Sequence, residues 1–289
     1  MRYEIRHHLQ YRYDGPVALE PLRLRLRPRC GPGQELESFE WKIKPEPAGF
    51  SESWDPFGNA QALAWFTGAD HEGLSVLARS VVRSDSTNPF NYLVTDPGLL
   101  KIPAAYGVED DRSALGPYLH RDRPDPGVTD WAERILEEAW GLTLQALAHG
   151  TEQVRLHFNS VIRLEGAAWS PGETFRKGEG ACRDLAVLFI DVCRAWGLAA
   201  RFVSGYRYDP EAADRHEMHA WVEVYLSGAG WRGYDPSTGF VTGDRHLAVA
   251  TGPDSDSVDA VRGTFRGTGV KARMDYRVDL SNLGKGPEE

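Results

Sequence analysis

Apolar and polar positions alternate along the first 85 residues of the chain. Tyr3, Ile5, His7, Leu9, Tyr11 and Tyr13 recur at period two, the mark of a strand with one buried face. Asp14-Gly15-Pro16 breaks that run. Leu22, Leu24 and Leu26 then alternate with Arg23, Arg25 and Arg27, which predicts a second strand with its apolar side inward and its arginines solvated. Residues 38–44, 61–66 and 75–84 extend the series, separated by turn clusters such as Asp55-Pro56-Phe57-Gly58-Asn59. Short strands at this spacing predict a small β-sandwich or barrel over residues 1–85. Residues 86–128 are rich in Pro, Gly and Asp and predict an irregular surface connection.

The period then changes. Trp131, Ile135, Ala139 and Leu142 follow a helical repeat that Thr129 can cap. A second helix is expected over 143–164, with Leu147, Val154, Phe158 and Ile162 as its apolar positions. A third over 182–196 carries Leu185, Leu188, Phe189, Val192 and Trp196 as a buried stripe, and Gly197 stops it. Strands are expected at 200–208 and 219–226, and a short one ends at Tyr234-Asp235-Pro236. Residues 129–280 therefore form an α+β unit, and 281–289 read as a frayed tail.

Composition narrows the function. The 289 residues are 41% hydrophobic, and 42 acidic against 33 basic side chains give a net charge of −9. That balance does not favour nucleic acid or an anionic membrane as a partner. No stretch approaches the roughly 18 uninterrupted apolar residues of a membrane span, and the charged, alternating N-terminus lacks the apolar core of a signal peptide. The three cysteines, Cys30, Cys182 and Cys193, are too few and too far from an even set for a secreted disulfide framework. A reduced, cytoplasmic setting is expected.

The chemistry concentrates in three pieces. Cys182 follows Lys177-Gly178-Glu179-Gly180-Ala181 and opens a helix, where free N–H groups and the helix dipole stabilise a thiolate. Gly180 and its small neighbours would admit a substrate backbone; the plainer alternative is a buried small residue. His219-Ala220-Trp221-Val222-Glu223-Val224-Tyr225 puts an imidazole, an indole and a carboxylate on one strand face. His216 lies three residues earlier, but the spacing is not that of a zinc-binding helix, and no metal is expected. Asp235, on the adjoining strand before Pro236, can accept a hydrogen bond from that imidazole. Cys, His and Asp in this order form a nucleophile, a base and its orienter. Cys193, eleven residues on and about 16 Å along the helix, falls in the packing stripe. Cys30 shows no partner.

These residues resemble bacterial transglutaminase-like proteins. The resemblance rests on Gly180-Ala181-Cys182-Arg183-Asp184-Leu185-Ala186, on residues 200–206, on residues 219–225, and on Trp231 followed by Asp235-Pro236-Ser237. Tyr11-Arg12-Tyr13, the 55–59 turn and residues 74–82 match the β domain that precedes the core in that family. The resemblance implies a papain-like α+β core with Cys182, His219 and Asp235 as the triad, acting without a cofactor on a peptide or protein amide. Hydrolysis is expected over transfer to an amine, with a non-catalytic binding protein as the remaining alternative. The Cys182 N–H is the expected oxyanion donor, and Trp169, Gly180 and Trp221 are expected around the cleft. The family's usual Gly-Arg-Asp-Tyr after His246 is here Gly252-Pro253-Asp254-Ser255, and its usual first-strand Thr is Leu9.

Overall fold

The computed structural model describes residues 1–107, 112–163, 165–211 and 216–285. The N-terminal third contributes six strands: β1 (Arg2–Leu19), β2 (Leu22–Leu24), β3 (Gln34–Lys44), β4 (Gly49–Trp54), β5 (Ala60–Trp65) and β6 (His71–Ser84). Helices α1 (Arg112–Leu119), α2 (Pro126–Glu138) and α3 (Thr143–His157) follow. The strand pair β7 (Asn159–Ser160) and β8 (Glu179–Gly180) brackets α4 (Pro171–Lys177) and leads into α5 (Cys182–Ala195). The core sheet is built from β9 (Ala200–Arg207), β10 (Met218–Leu226), β11 (Gly230–Asp235), β12 (Phe240–Val241) and β13 (His246–Gly252). Three last strands, β14 (Val261–Arg262), β15 (Phe265–Arg266) and β16 (Ala272–Gly284), return to the N-terminal unit.

The core sheet is antiparallel in the order β12-β11-β10-β9-β13. α5 lies across it. Leu185, Leu188, Phe189 and Val192 are fully buried against Ala220, Val222, Val224 and Leu226 of β10. Burial of each such large side chain stabilises the fold by about 1.5–3 kcal/mol, so the helix stripe fixes Cys182 at one end of the sheet. α3 approaches closely at Gly150, where a Cβ would stand 2.9 Å from both Phe189 and Trp196.

The N-terminal unit is a two-sheet sandwich. One sheet runs β15-β1-β6-β3 with β16 also on β1, and the other β14-β2-β5-β4. The long strand β1 serves two cores with one face. Tyr3 and Ile5 pack on Tyr206, Leu247 and Val249 of the core sheet. Leu9, Val17 and Leu19 pack on Leu22, Leu24, Ala62 and Ala64 of the opposing sheet. His7 sits between, with its Nδ1 2.8 Å from the Tyr206 hydroxyl.

Several expectations need correction. The unit is not complete at residue 85, because β14, β15 and β16 supply strands to both of its sheets. Residues 281–284 are not frayed: Glu4 pairs with Ser281, Tyr3 with Asn282 and Arg2 with Gly284. Residues 286–289 lie outside the described residues. Arg25 is buried, not solvated, because its Nε donates to the buried Asp55 carboxylate at 3.1 Å. The 86–128 segment is not confined to the surface: Leu99 and Tyr106 are buried, and the Tyr106 hydroxyl donates to Tyr225 O at 2.9 Å and accepts from Ala199 N at 2.8 Å. α2 starts at Pro126 with Asp125 as its cap, accepting from Gly127 N, so Thr129 lies inside the first turn. α3 stops at His157, and Ile162 is exposed; Leu164, expected in that helix, lies outside the described residues.

Two polar side chains of the N-terminal unit cover the outer edge of β13. Gln34 donates to Ala248 O and accepts from Ala248 N, both at 2.8 Å. Asn59 donates to Thr251 O and accepts from Thr251 N, again at 2.8 Å. Each amide replaces one residue of a missing neighbour strand, which closes an edge that would otherwise pair with another chain.

Gly205 is a point of close backbone approach in the core sheet. It pairs with His219 across β9 and β10, and a Cβ there would fall 2.2 Å from Leu247 O and 2.7 Å from the Trp221 ring. Backbone cannot yield that much. Gly205→Ala is expected to cost about 1–3 kcal/mol, read as a lowered urea midpoint with an unchanged m-value; an unchanged midpoint would show that the Trp221 seat is soft.

Candidate functional site

The start of α5, the start of β10 and the end of β11 meet at one point. Cys182 is the first residue of its helix, so its N–H has no partner within the helix. The helix start is held from below. Asp184, fully buried, accepts from Ala181 N at 2.8 Å, from Trp169 N at 2.8 Å and from Arg163 Nη2 at 2.7 Å.

Cys182 and His219 line the same cleft, and the thiol helps to raise the pKa of the imidazole. Its Nε2 donates to Asp235 Oδ2 at 2.7 Å, which leaves Nδ1 as the nitrogen for the thiol. Asp235 has no solvent exposure. Its Oδ1 accepts from Ser237 N at 3.0 Å and from Ser237 Oγ at 2.7 Å. Its Oδ2 also accepts from His246 Nε2 at 3.2 Å. Four donors thus fill the lone pairs of the carboxylate.

Charge follows from this geometry. Burial opposes the charged form of His219, but the Asp235 charge, the Asp235 hydrogen bond and the Cys182 contact outweigh it and push the imidazole up to about 10. Burial likewise opposes the Asp235 anion. His219 and His246 overcome it and hold the carboxyl well below its usual range. The pair is therefore an imidazolium and a carboxylate at neutral pH.

The structure brings Cys182, His219 and Asp235 together. It does not bring the three expected cleft residues to the thiol. Trp169 is clamped between the Arg163 guanidinium, 4.3 Å from its ring centre, and the Lys177 ammonium at 4.7 Å. It braces the loop over α5. Trp221 is buried under both imidazoles, its ring centre 6.3 Å from that of His219 and 5.3 Å from that of His246. Gly180 makes room for Asp184, whose Cβ would be 2.9 Å from a Cβ added there. Gly178 ends α4 in the left-handed region at φ 66°, a position glycine occupies without strain. The glycines before Cys182 thus answer local packing. Cys193 is buried, and burial pushes its thiol far up. Cys30 is exposed and free.

The cleft beside Cys182 has a volume of about 710 Å³ and two different walls. The N-terminal unit supplies His7, Leu9, Tyr11, Met274 and Tyr276. The core supplies Ile162, Arg163, Arg183, Glu217 and Thr238. Sequence reasoning missed this first wall, because β1 and β16 are nearly 270 residues apart in the chain and adjacent only in the sheet.

It also missed His246 and Ser237 as partners of Asp235. The Ser237 contact is legible in principle, since Asp-x-Ser commonly folds back as an Asx turn. His246 has no local signal beyond a histidine opening a strand. His219, Asp235 and His246 place three potential metal-donor atoms within 4.8 Å of one another. Hydrogen bonding accounts for all three atoms, since both Nε2 atoms point at the one Oδ2. His216 is not part of the group; its Nε2 is 3.4 Å from Asp209 O and its ring stacks on Tyr208.

A thiol at a helix start, facing an imidazole and a buried carboxylate on an antiparallel sheet, defines a transglutaminase-like core. Residues 130–236 match the transglutaminase-like superfamily, and residues 3–83 match the bacterial transglutaminase-like N-terminal region. The chain is similar to that superfamily over these two regions. It is 28% identical to an uncharacterized protein of Mycobacterium tuberculosis over 96% of this chain and 92% of that one. An uncharacterized protein of Mycobacterium leprae is 24% identical over 98% and 99%. The crystal structure of a proposed cysteine protease from Cytophaga hutchinsonii superposes with a TM-score of 0.74 at 18% identity, over 99% of this chain and 92% of that one. That likeness is one of fold. Among the described residues no helix is long and apolar enough to cross a membrane.

The charge assignments fix a pH dependence of stability. His219 is raised from 6.5 to about 10 on folding, so its contribution is complete below about pH 6.5 and is lost as pH rises through 10. Asp235 is lowered, so its contribution holds above its ordinary value of 3.8 and is lost on acidification. The stability gap between wild type and His219→Gln is expected to shrink steadily from pH 6.5 to pH 10 in urea titrations. A gap that widens over that range would contradict the ion pair.

Proposed function

We propose that this protein is a thiol-dependent acyl-transfer enzyme acting on peptide or isopeptide-like amides, with water as the preferred acceptor. One observation carries the reading: the thiol at the start of α5 shares a cleft with an imidazole whose Nε2 is 2.7 Å from a buried, fully bonded carboxylate. In this scheme the Cys182 proton rests on His219, and the thiolate attacks the carbonyl carbon. The Cys182 N–H is the oxyanion donor; removal of one such donor typically costs about 10²–10³ in rate. The imidazolium gives its proton to the departing amine as the C–N bond breaks, leaving a thioester. His219 then takes a proton from water, hydroxide adds to the thioester, and the acid leaves as the thiolate returns. A reducing compartment such as the cytoplasm would keep Cys182 a thiol.

Transfer to an amine is a second reading with an observation of its own. Glu217 and Asp259 border the cleft, while Arg163 is committed to Asp184 and Arg183 to the carbonyls of residues 163, 165 and 166. Two carboxylates lining the cleft suit a cationic acceptor.

Iodoacetamide labelling of Cys182 against pH tests the first step. Wild type is expected to label faster at neutral and mildly acidic pH than His219→Ala, which lacks the base for the thiol proton. Equal profiles would remove the catalytic reading and leave a binding protein with this fold. Addition of a labelled primary amine with a glutamine-containing acyl donor separates the two acceptors. Release of acid faster than amine incorporation supports hydrolysis, and the reverse order supports transfer.

A further inference from the structure

The second imidazole on Asp235 has a fixed protonation pattern. Gly243 N donates to His246 Nδ1 at 3.3 Å, so Nδ1 carries a lone pair and the ring is neutral. The hydrogen of the ring therefore sits on Nε2, which donates to Asp235 Oδ2 at 3.2 Å. Burial lowers the pKa of His246, which agrees with a neutral ring. The groups around it are Asp235 on β11, His219 and Trp221 on β10, and Arg207 on β9. The two cations among them, His219 and Arg207, both disfavour a further charge.

We propose that His246 is a positioning residue of the acyl-transfer site, a neutral donor that fixes Asp235 and limits its hold on the proton of His219. The argument rests on the shared oxygen. Oδ2 accepts from both imidazoles while Ser237 occupies Oδ1, so the carboxylate cannot rotate without losing a bond. A donor on Oδ2 also stabilises the anion most when its other partner is uncharged, that is, after His219 has given up its proton. His246 therefore favours proton departure from an imidazolium that Asp235 alone would hold too tightly. That departure is the step in which the leaving amine is protonated. Resting thiolate formation gains nothing from it. The proposal deepens the acyl-transfer reading and rests on it for its kinetic half only.

The test has two arms. Imidazole ¹⁵N spectra of the whole protein at pH 7 are expected to show His246 as the neutral Nε2–H tautomer and His219 protonated on both nitrogens. A His246 that is protonated on Nδ1, or on both nitrogens, overturns the proposal whatever the protein catalyses. In the kinetic arm, His246→Leu removes the donor and His246→Gln restores an N–H at similar reach. His246→Leu is expected to lower turnover of an amide substrate by about tenfold or more, the scale of one hydrogen bond to a charged group, while Cys182 alkylation at pH 7 changes much less. His246→Gln is expected to recover most of the turnover. Parallel loss of alkylation and turnover, or a Gln variant no better than Leu, overturns the proposal. Failure of the parent reading appears elsewhere, as Cys182 alkylation that ignores His219→Ala.

Discussion

A carboxylate cut off from water must be satisfied by protein groups or give up its charge, and Asp235 imposes that demand at the centre of this molecule. It has no exposure and takes four hydrogen bonds from three residues. Each of the three residues comes from a different piece of chain: β10, the turn after β11, and β13. The order of the core sheet follows that need, since β10 and β11 must be neighbours and β13 must return beside β9 to reach the same point. Removing a single donor would leave a buried lone pair unsatisfied, a cost of about 1–3 kcal/mol.

The local pattern of the chain announces its elements well where one face is buried against a single partner. The stripe of α5 is such a case. Leu185, Leu188, Phe189, Val192 and Trp196 are all buried, because a helix lying on a sheet needs that spacing and no other. The strand of Tyr3 to Tyr13 is likewise legible as a strand. Its division between two cores is not, because period two says which residues turn inward and not what they meet. Arg25 shows the same limit. Alternation places it on the outer face, and only the buried Asp55, thirty residues away, explains why it is covered.

The geometry of the candidate site was legible to the same depth. Cys182, His219 and Asp235 could be named from residue type, order and the elements that hold them. The residues that support them could not. Trp169 and Trp221 draw attention as large rings near the motif, yet one is clamped between two cations and the other lies beneath the imidazoles. His246 and the β1–β16 wall of the cleft are contacts between distant segments. Spacing along the chain carries no signal of them, since loop closure and sheet register decide what meets.

The strand β16 lies beside β1, with Gly284 opposite Arg2. A ribosome makes β1 before the core and β16 after it, so β1 waits through synthesis of the whole core without its β16 partner. Pairings of such long sequence separation are slow to form, and unpaired edges invite association between nascent chains. The wall of Met274 and Tyr276 also comes with β16. That side of the cleft is therefore complete only once β16 has been made, and a nascent chain can fold the thiol helix against its sheet while the cleft is still open on one flank.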